Sequence, residues 1–343
     1  MILMVNMVYI VIAFLWMALL LYLLLGGADF GAGIIELFTS ELNKDRTTRT
    51  MTRTIGPIWE ANHMWLIIVI VILFTGFPEI YAVVSTYLHI PLLIMLMGII
   101  ARGTAFSFRH YDAVEDRMQT IYSKIFRYSS FITPFFLGVI AASVVSGTIN
   151  PRAENFLSAY IFSWFHLFSL SVGLFTVSIC GYLAAVFLID ETESKKERDR
   201  YIIKARSMNI ATVFTGVLVF LAASADHVPL VNWLFGNAVG ISAISAAFIS
   251  LIIQWWLILK GRKVVIRMLA GFQVTMILVA TTFYHFPHII LLSNGQYLSL
   301  IENQGHEKAI ETLALALLIG SVFILPALYY LIYSFQKRGS SDW

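Results

Sequence analysis

Long apolar segments separated by short charged loops dominate the hydropathy pattern of the chain. The apolar segments are about 20 residues or longer, which an α-helix needs to cross a bilayer. A membrane β-barrel would show alternating segments of roughly 10 residues instead. The pattern therefore predicts an all-α polytopic membrane protein with nine transmembrane helices, at about residues 4–28, 57–77, 80–101, 128–149, 158–189, 207–225, 234–259, 268–290 and 311–335.

Composition and charge support this prediction and give it a direction. The 343 residues are 59% hydrophobic and 13% charged, whereas a soluble domain carries about 25% charged residues. We therefore expect a single integral membrane domain, residues 1–343, whose first span is too long and too poor in basic residues for a cleavable signal. Of the 23 Lys and Arg residues, all except Arg152 and Lys308 fall in one set of alternate loops. By the positive-inside rule, the N-terminus is expected outside and the C-terminus in the cytoplasm.

Few residues are candidates for metal ligands. The single cysteine, Cys180, excludes an intramolecular disulfide and a cysteine-based metal cluster. His89 and His166 lie in predicted spans, but a lone histidine on an apolar helix is more often hydrogen-bonded than ligating. We therefore predict no metal site in this chain.

The end of the first predicted span is rich in glycine and carries two carboxylates. Tyr22, Gly26, Asp29, Gly33 and Glu36 follow a spacing of four and three, which places them on one helical face. Two interpretations of Asp29 are open: a hydrated carboxylate near the membrane interface, or a protonatable carboxylate facing the interior of a complex. A nucleotide-binding loop is excluded because no strand precedes the glycines and no P-loop lysine follows them.

The second predicted span begins with an unusual polar segment, GPIWEANHMW. Pro57 suits a first helical turn, and Glu60 follows where a carboxylate meets the positive end of the helix dipole. His63 lies three residues after Glu60 and can share its face. Glu60 is therefore either a helix-start residue or a proton-transfer group. The indoles of Trp59 and Trp65 fit an interfacial belt, and Asn62 points to another side of the helix.

Arg102 and Arg109 flank another predicted cytoplasmic edge, in ARGTAFSFRHYD. Positive-inside placement with snorkelling explains both residues. The alternative is that one of them pairs with a carboxylate or with an anionic cofactor group.

Three motifs together resemble subunit II of cytochrome bd-type quinol oxidases. They are DFGAG at Asp29–Gly33, PIWEANHMWL from Pro57, and the segment from Arg102 to Arg109; the matched motif positions are Gly31, Gly33, Pro57, Trp59, Glu60, Asn62, His63, Trp65, Arg102 and Arg109. The order and spacing of the motifs match the family, and the hydropathy matches along the whole chain. The first family motif often has an earlier acid as well, and Gly26 stands in its place here.

The resemblance implies a heterodimer in the bacterial cytoplasmic membrane. The larger subunit I would carry two b hemes and a heme d, and the complex would oxidise quinol and reduce dioxygen to water without pumping protons. The implied fold is two four-helix bundles plus one peripheral helix. A small single-span accessory subunit and a structural quinone are left open, and no nucleic acid partner is expected.

The charge pattern and the resemblance lead to one hypothesis about mechanism. Asp29 and Glu60 are predicted on the cytoplasmic side, which is the side that supplies the protons for water. Glu60, with Asp29 and His63, is therefore expected to begin a proton-uptake route toward the hemes of the partner. The alternatives are a scaffold subunit without a proton role and a proton-coupled transporter, which would also carry polar residues in broken helices.

Overall fold

A computed structural model shows a chain built almost entirely of helices. It describes residues 2–40, 43–44, 46–48, 50–51, 59–111, 117–191, 194–260 and 263–338. The helices in chain order are α1 (Ile2–Leu21), a π-helix (Tyr22–Gly26), α2 (Gly27–Leu37), α3 (Trp59–Gly76), α4 (Pro78–Tyr87), α5 (His89–Tyr111), α6 (Arg117–Val145), α7 (Phe156–Tyr160), α8 (Leu167–Glu191), α9 (Lys195–Ala225), α10 (Leu230–Phe235), α11 (Ala238–Lys260), α12 (Lys263–Phe283) and α13 (Glu307–Arg338).

Eight helices among the described residues are long and apolar enough to cross a membrane. A ninth crossing is possible if α3 and α4 count as one broken span, because they bend by 115° around Phe77. The prediction of a helical protein with multiple spans is thus confirmed. The division into two four-helix bundles plus a peripheral helix, the single domain and the sides of the termini stay predictions.

The centre of the structure is α8. Within Leu167–Ile189, 78% of the most apolar stretch is buried, whereas the corresponding share is 44% or less in the other candidate spans. Helices α2, α6, α9 and α12 pack against α8, and α5 packs against α6. A second group forms where α3 and α13 pack against α1.

Glycines allow the closest helix contacts around α8. A Cβ on Gly31 would lie 1.9 Å from the backbone oxygen of Cys180, and one on Gly33 would lie 2.2 Å from Ser130 Oγ. Gly27 also contacts α8, through Cys180 and Leu183. The Gly27–Gly31 face of the first span is therefore covered by this chain itself, so it is not available to another subunit.

Several helices begin or end at other residues than the predicted spans. The expected fifth span at 158–189 is two helices, α7 and α8, separated by a turn at 161–166. Helices α6 and α9 begin at Arg117 and Lys195, earlier than predicted, because their charged first turns remain helical. The connection at 291–310 contains the end of a hairpin of two antiparallel strands, β1 (His288–Leu291) and β2 (Tyr297–Ser299).

Candidate functional site

A buried ion pair joins the first span to α5. Arg102 donates from a terminal nitrogen (NH2) to Asp29 Oδ1 at 2.6 Å and to the backbone oxygen of Asp29 at 3.1 Å. Its Nε donates to Ser130 Oγ at 3.1 Å, and both charged side chains are 1% exposed. Asp29 is thus not a hydrated carboxylate at the interface, and Arg102 does not snorkel to water.

A second ion pair lies two helical turns further along the same two helices. Arg109 contacts both carboxylate oxygens of Glu36, at 3.2 and 3.0 Å, and the Glu36 side chain is 1% exposed. Arg127 on α6 lies near the same carboxylate, with its Nε 3.9 Å from Glu36 Oε1. We refer to the Asp29–Arg102 and Glu36–Arg109 pairs together as the ion-pair ladder.

Aromatic rings surround the ladder. The Phe126 ring lies between the two arginines, 5.0 Å from the guanidinium carbon of Arg102 and 4.3 Å from that of Arg109. Phe30 covers Arg102 from another side, at 5.1 Å. Such cation–π contacts stabilise desolvated guanidinium groups. Both pairs are also buried away from water, which strengthens the electrostatic attraction within each pair.

His63 completes the buried end of the ladder. Its Nε2 lies 3.9 Å from Asp29 Oδ2, which has no hydrogen-bond partner among the described residues. The His63 ring also lies against Phe30 and Tyr22, with ring centroids 5.7 and 6.3 Å away. One carboxylate oxygen thus serves the salt bridge, while the other faces an ionisable imidazole.

The structure brings together only part of the predicted set. Asp29, His63, Arg102 and Arg109 belong to the ladder or touch it, whereas Pro57 and the side chains of Trp59 and Glu60 lie outside the described residues. Asn62 is buried on α3. Trp65 is also buried, in a core cluster with Tyr22 and Phe30, so it does not contribute to an interfacial belt.

Glu36, Arg127, Ser130 and Tyr22 were not predicted as site residues. A signal for Glu36 is present in the sequence, because Asp29 and Glu36 are seven residues apart, as are Arg102 and Arg109. Seven residues are two helical turns, about 10 Å of rise. Two helices with matched spacings of opposite charge can form two parallel ion pairs, which is the arrangement observed.

A separate polar cluster lies at the opposite end of α8. His166 Nδ1 is 3.3 Å from Asp226 Oδ2, and its Nε2 is 2.7 Å from Ser169 Oγ. Asp226 also accepts a hydrogen bond from the backbone N–H of Phe168 at 2.6 Å, so it caps the start of α8. Burial lowers the pKa of His166, and the Asp226 carboxylate opposes that shift.

The side chains of the ladder can carry charge and transfer protons. No group of three or more His, Cys, Asp or Glu side chains in the described part of the chain could hold a metal ion. The ladder instead offers carboxylates, guanidinium groups and one imidazole. In membrane proteins, such groups mark ion pathways or hold helices together.

Fold and site together define a multi-pass helical membrane protein with buried, paired charges near one end of its helices. The sequence matches the family Cytochrome bd terminal oxidase subunit II over residues 7–335. The chain therefore belongs to that family, as its motifs predicted.

Relatives in the family include named oxidase subunits. The chain is 29% identical over 220 residues to the cytochrome bd ubiquinol oxidase subunit 2 of Bacillus subtilis, covering 62% of each chain. It is 26% identical over 189 residues to the cytochrome bd-I ubiquinol oxidase subunit 2 of Escherichia coli K12, covering 52% of this chain and 49% of the other. These two matches thus span about half to three-fifths of the relatives' lengths.

A solved structure shares the fold. The chain superposes on a chain of the bd oxidase from Geobacillus thermodenitrificans with a TM-score of 0.75. The match covers 96% of this chain and 98% of the other at 20% sequence identity. The likeness therefore establishes the fold along almost the whole chain.

Proposed function

We propose that this chain is the second subunit of a terminal quinol oxidase in a bacterial cytoplasmic membrane, and that it supplies a proton-uptake route. The complex oxidises quinol and reduces dioxygen to water, with two b hemes and a heme d held by the larger subunit I. This chain holds the complex together and leads protons from the cytoplasmic side toward that subunit. Family membership and the named relatives support the oxidase reading over a transporter.

The contact between His63 and Asp29 is the observation that carries the proton route. Asp29 Oδ1 is fixed by Arg102, while Oδ2 faces His63 Nε2 at 3.9 Å, a gap that one water can bridge. An imidazole can accept a proton at one ring nitrogen and release a proton from the other, and the Asp29 carboxylate lies next to Nε2 of this ring. Glu60 begins the same helix as His63, one turn earlier along the chain, toward the predicted cytoplasmic side.

A purely structural role is the second candidate, and the ladder itself favours it. Each ion pair of the ladder joins α2 to α5. Ser130 and Arg127 on α6 also contact the charged side chains of the ladder. Arg102 also supplies the countercharge for the buried Asp29 carboxylate, with its terminal nitrogen 2.6 Å from Oδ1. In this reading the ladder fixes helix positions, and no proton passes through it.

Turnover of two conservative variants separates these functions. Glu60→Gln and His63→Gln keep side-chain size and hydrogen bonding but remove the ionisable group. If the residues relay protons, oxygen consumption should fall by about tenfold or more, since proton-transfer groups contribute about 10²–10⁴-fold to rates. The measurement is oxygen consumption at saturating quinol, in complexes matched for heme absorbance.

Glu302→Gln and His288→Gln are the matched controls, because both side chains are exposed on the hairpin side of the molecule, away from the ladder. Both controls should keep the parental rate. Full heme absorbance with unchanged turnover in Glu60→Gln and His63→Gln would leave the structural role as the function of the ladder. A purified complex without heme bands in its visible spectrum would contradict the oxidase itself.

A further inference from the structure

The hydroxyl of Tyr22 is buried without a hydrogen-bond partner among the described residues. The whole residue is 2% exposed and belongs to the core between α1 and α3. Burying a hydroxyl without a hydrogen bond is unfavourable, because the group loses its hydrogen bonds to water. A phenylalanine would fill the same space without that cost, so the oxygen itself needs an explanation.

Tyr22 lies beside the polar groups of the buried end of the ladder. Its ring centroid is 6.3 Å from that of His63 and 6.2 Å from that of Phe30. His63 in turn faces Asp29 Oδ2, the second buried oxygen without a hydrogen-bond partner in the described part of the chain. Tyr22 precedes Asp29 by seven residues, so its backbone lies about 10 Å further from the charged loops along the first span.

The backbone around Tyr22 is also unusual. Tyr22 begins the π-helix, and the N–H of Gly27 bonds to the carbonyl oxygen of Tyr22, five residues back. Single π-helical turns inside α-helices occur frequently at functional sites. A π-helical turn contains more residues than an α-helical turn. The side chain of Tyr22 is therefore rotated about the helix axis relative to the residues of α2.

The Tyr22 ring occupies the space above Gly26. A Cβ on Gly26 would lie 3.0 Å from Tyr22 Cδ2 and 3.1 Å from Cε2. Position 26 is the place at which the first motif often carries its earlier acid. In this chain the acid is lacking, and the phenol ring covers its position.

We propose that the Tyr22 hydroxyl takes the place of the missing carboxylate as the proton-transfer group beyond the His63–Asp29 pair. This inference rests on the proton-uptake function proposed above. In one concerted step the His63 imidazolium gives a proton to a bridging water, that water gives a proton to the phenol oxygen, and the phenol O–H proton passes to a second water on the far side. Rotation of the hydroxyl restores the starting state, so the phenol remains neutral after each transfer and no net charge stays on it.

Tyr22→Phe tests the inference because it removes only the oxygen. In the complete two-subunit complex with matched heme absorbance, oxygen consumption should fall about tenfold, less than the roughly 10²–10⁴-fold contribution of a proton-transfer group, because water can partly replace the hydroxyl. The solvent deuterium isotope effect on turnover should increase, since proton transfer then limits the rate. Tyr87→Phe removes a hydroxyl from a partly buried residue outside the ladder, whose O–H donates to the backbone oxygen of Pro151, and should leave both quantities unchanged.

A double variant distinguishes proton transfer by Tyr22 from a role of its ring in packing. Tyr22→Leu removes the ring from above Gly26, and adding Gly26→Asp then restores a carboxylate at the motif position. The double variant should turn over several times faster than Tyr22→Leu alone. Equal rates would overturn the relay, and this comparison still decides if Tyr22→Phe assembles poorly.

The outcomes distinguish this inference from the function on which it rests. A parental rate and isotope effect in Tyr22→Phe, with slow turnover in His63→Gln and Glu60→Gln, would overturn the role of Tyr22 and leave the uptake route standing. Parental rates in all three variants would overturn both.

Discussion

Arg102 is the residue on which the buried end of the ion-pair ladder depends. It is fully buried and pairs with Asp29, so its removal leaves a carboxylate without a countercharge inside the protein. Removing one partner of a buried ion pair costs about 3–5 kcal/mol, whereas replacing both partners by neutral groups of similar volume is often close to neutral. The single and the double replacement should therefore differ strongly.

We expect Arg102→Met to lower the thermal unfolding midpoint of the detergent-solubilised complex, or to prevent its assembly. Asp29→Asn combined with Arg102→Met should recover most of the lost stability, because no charge then remains buried. Thermal unfolding with heme retention as a second readout measures both variants. If the double variant is as unstable as Arg102→Met, the loss comes from packing around Phe30 and Phe126 rather than from the unpaired charge.

The residues of the site show where sequence reasoning succeeds and where it stops. Asp29, Arg102 and Arg109 were identified from motifs, but each ion pair joins residues 73 positions apart. Sequence spacing places residues on a face of their own helix and says nothing about which helix lies opposite. Glu36 was placed on the correct face without a role for that reason, and the unpaired hydroxyl of Tyr22 follows only from three-dimensional packing.

Among the elements, the contact between α2 and α8 is the closest and the most sensitive to size. Gly31 lies so near Cys180 that a methyl group cannot fit without separating the two helices. Gly31→Ala should therefore destabilise the protein by about 1–3 kcal/mol, the usual cost of inserting a methyl group into a packed core. A lower thermal unfolding midpoint with reduced heme retention would show this effect.

Gly320→Ala is the matched control for Gly31→Ala. Gly320 lies within α13, and a Cβ there would meet only Ile324 Cδ1 at 3.8 Å. Alanine in a helix interior is favoured over glycine by up to about 1 kcal/mol, so this variant should be neutral or slightly more stable. Equal losses in the two variants would contradict close packing of α2 and α8 as the cause.

Hydropathy predicted which helices are present better than it predicted the residues at which they begin and end. Apolar length identifies a membrane span, but charged first turns continue as helix outside it, as at the starts of α6 and α9. Hydropathy does not reveal the π-helix, because Tyr22–Gly26 has the same apolar character as the rest of the span. The turn between α7 and α8 contains mostly apolar residues as well, which is why it was included in one long predicted span.

In the whole molecule, the charge pattern and the ladder occupy the same end. Glu36 and Arg109 lie in the last turns of α2 and α5, and Arg127 lies in the first half of α6. Along the chain, these parts of the helices adjoin segments rich in Lys and Arg. A proton-uptake route requires this end to face the cytoplasm. The orientation of the chain is therefore a condition of the proposed function, and it can be measured separately from turnover.

Cysteine labelling in intact cells measures the orientation, because the native Cys180 is 1% exposed and should not react. Asn294→Cys lies at the exposed tip of the hairpin, and Lys195→Cys lies at the exposed start of α9. Three candidate spans separate the two positions, namely Lys195–Ala225, Ala238–Ile258 and Val265–Phe283, so the two positions should face opposite sides of the membrane.

A membrane-impermeant maleimide should label Asn294→Cys in intact cells and Lys195→Cys only after permeabilisation. The reverse result would place the ladder outside and remove the proton-uptake route, and labelling of both positions from one side would contradict the number of crossings between them.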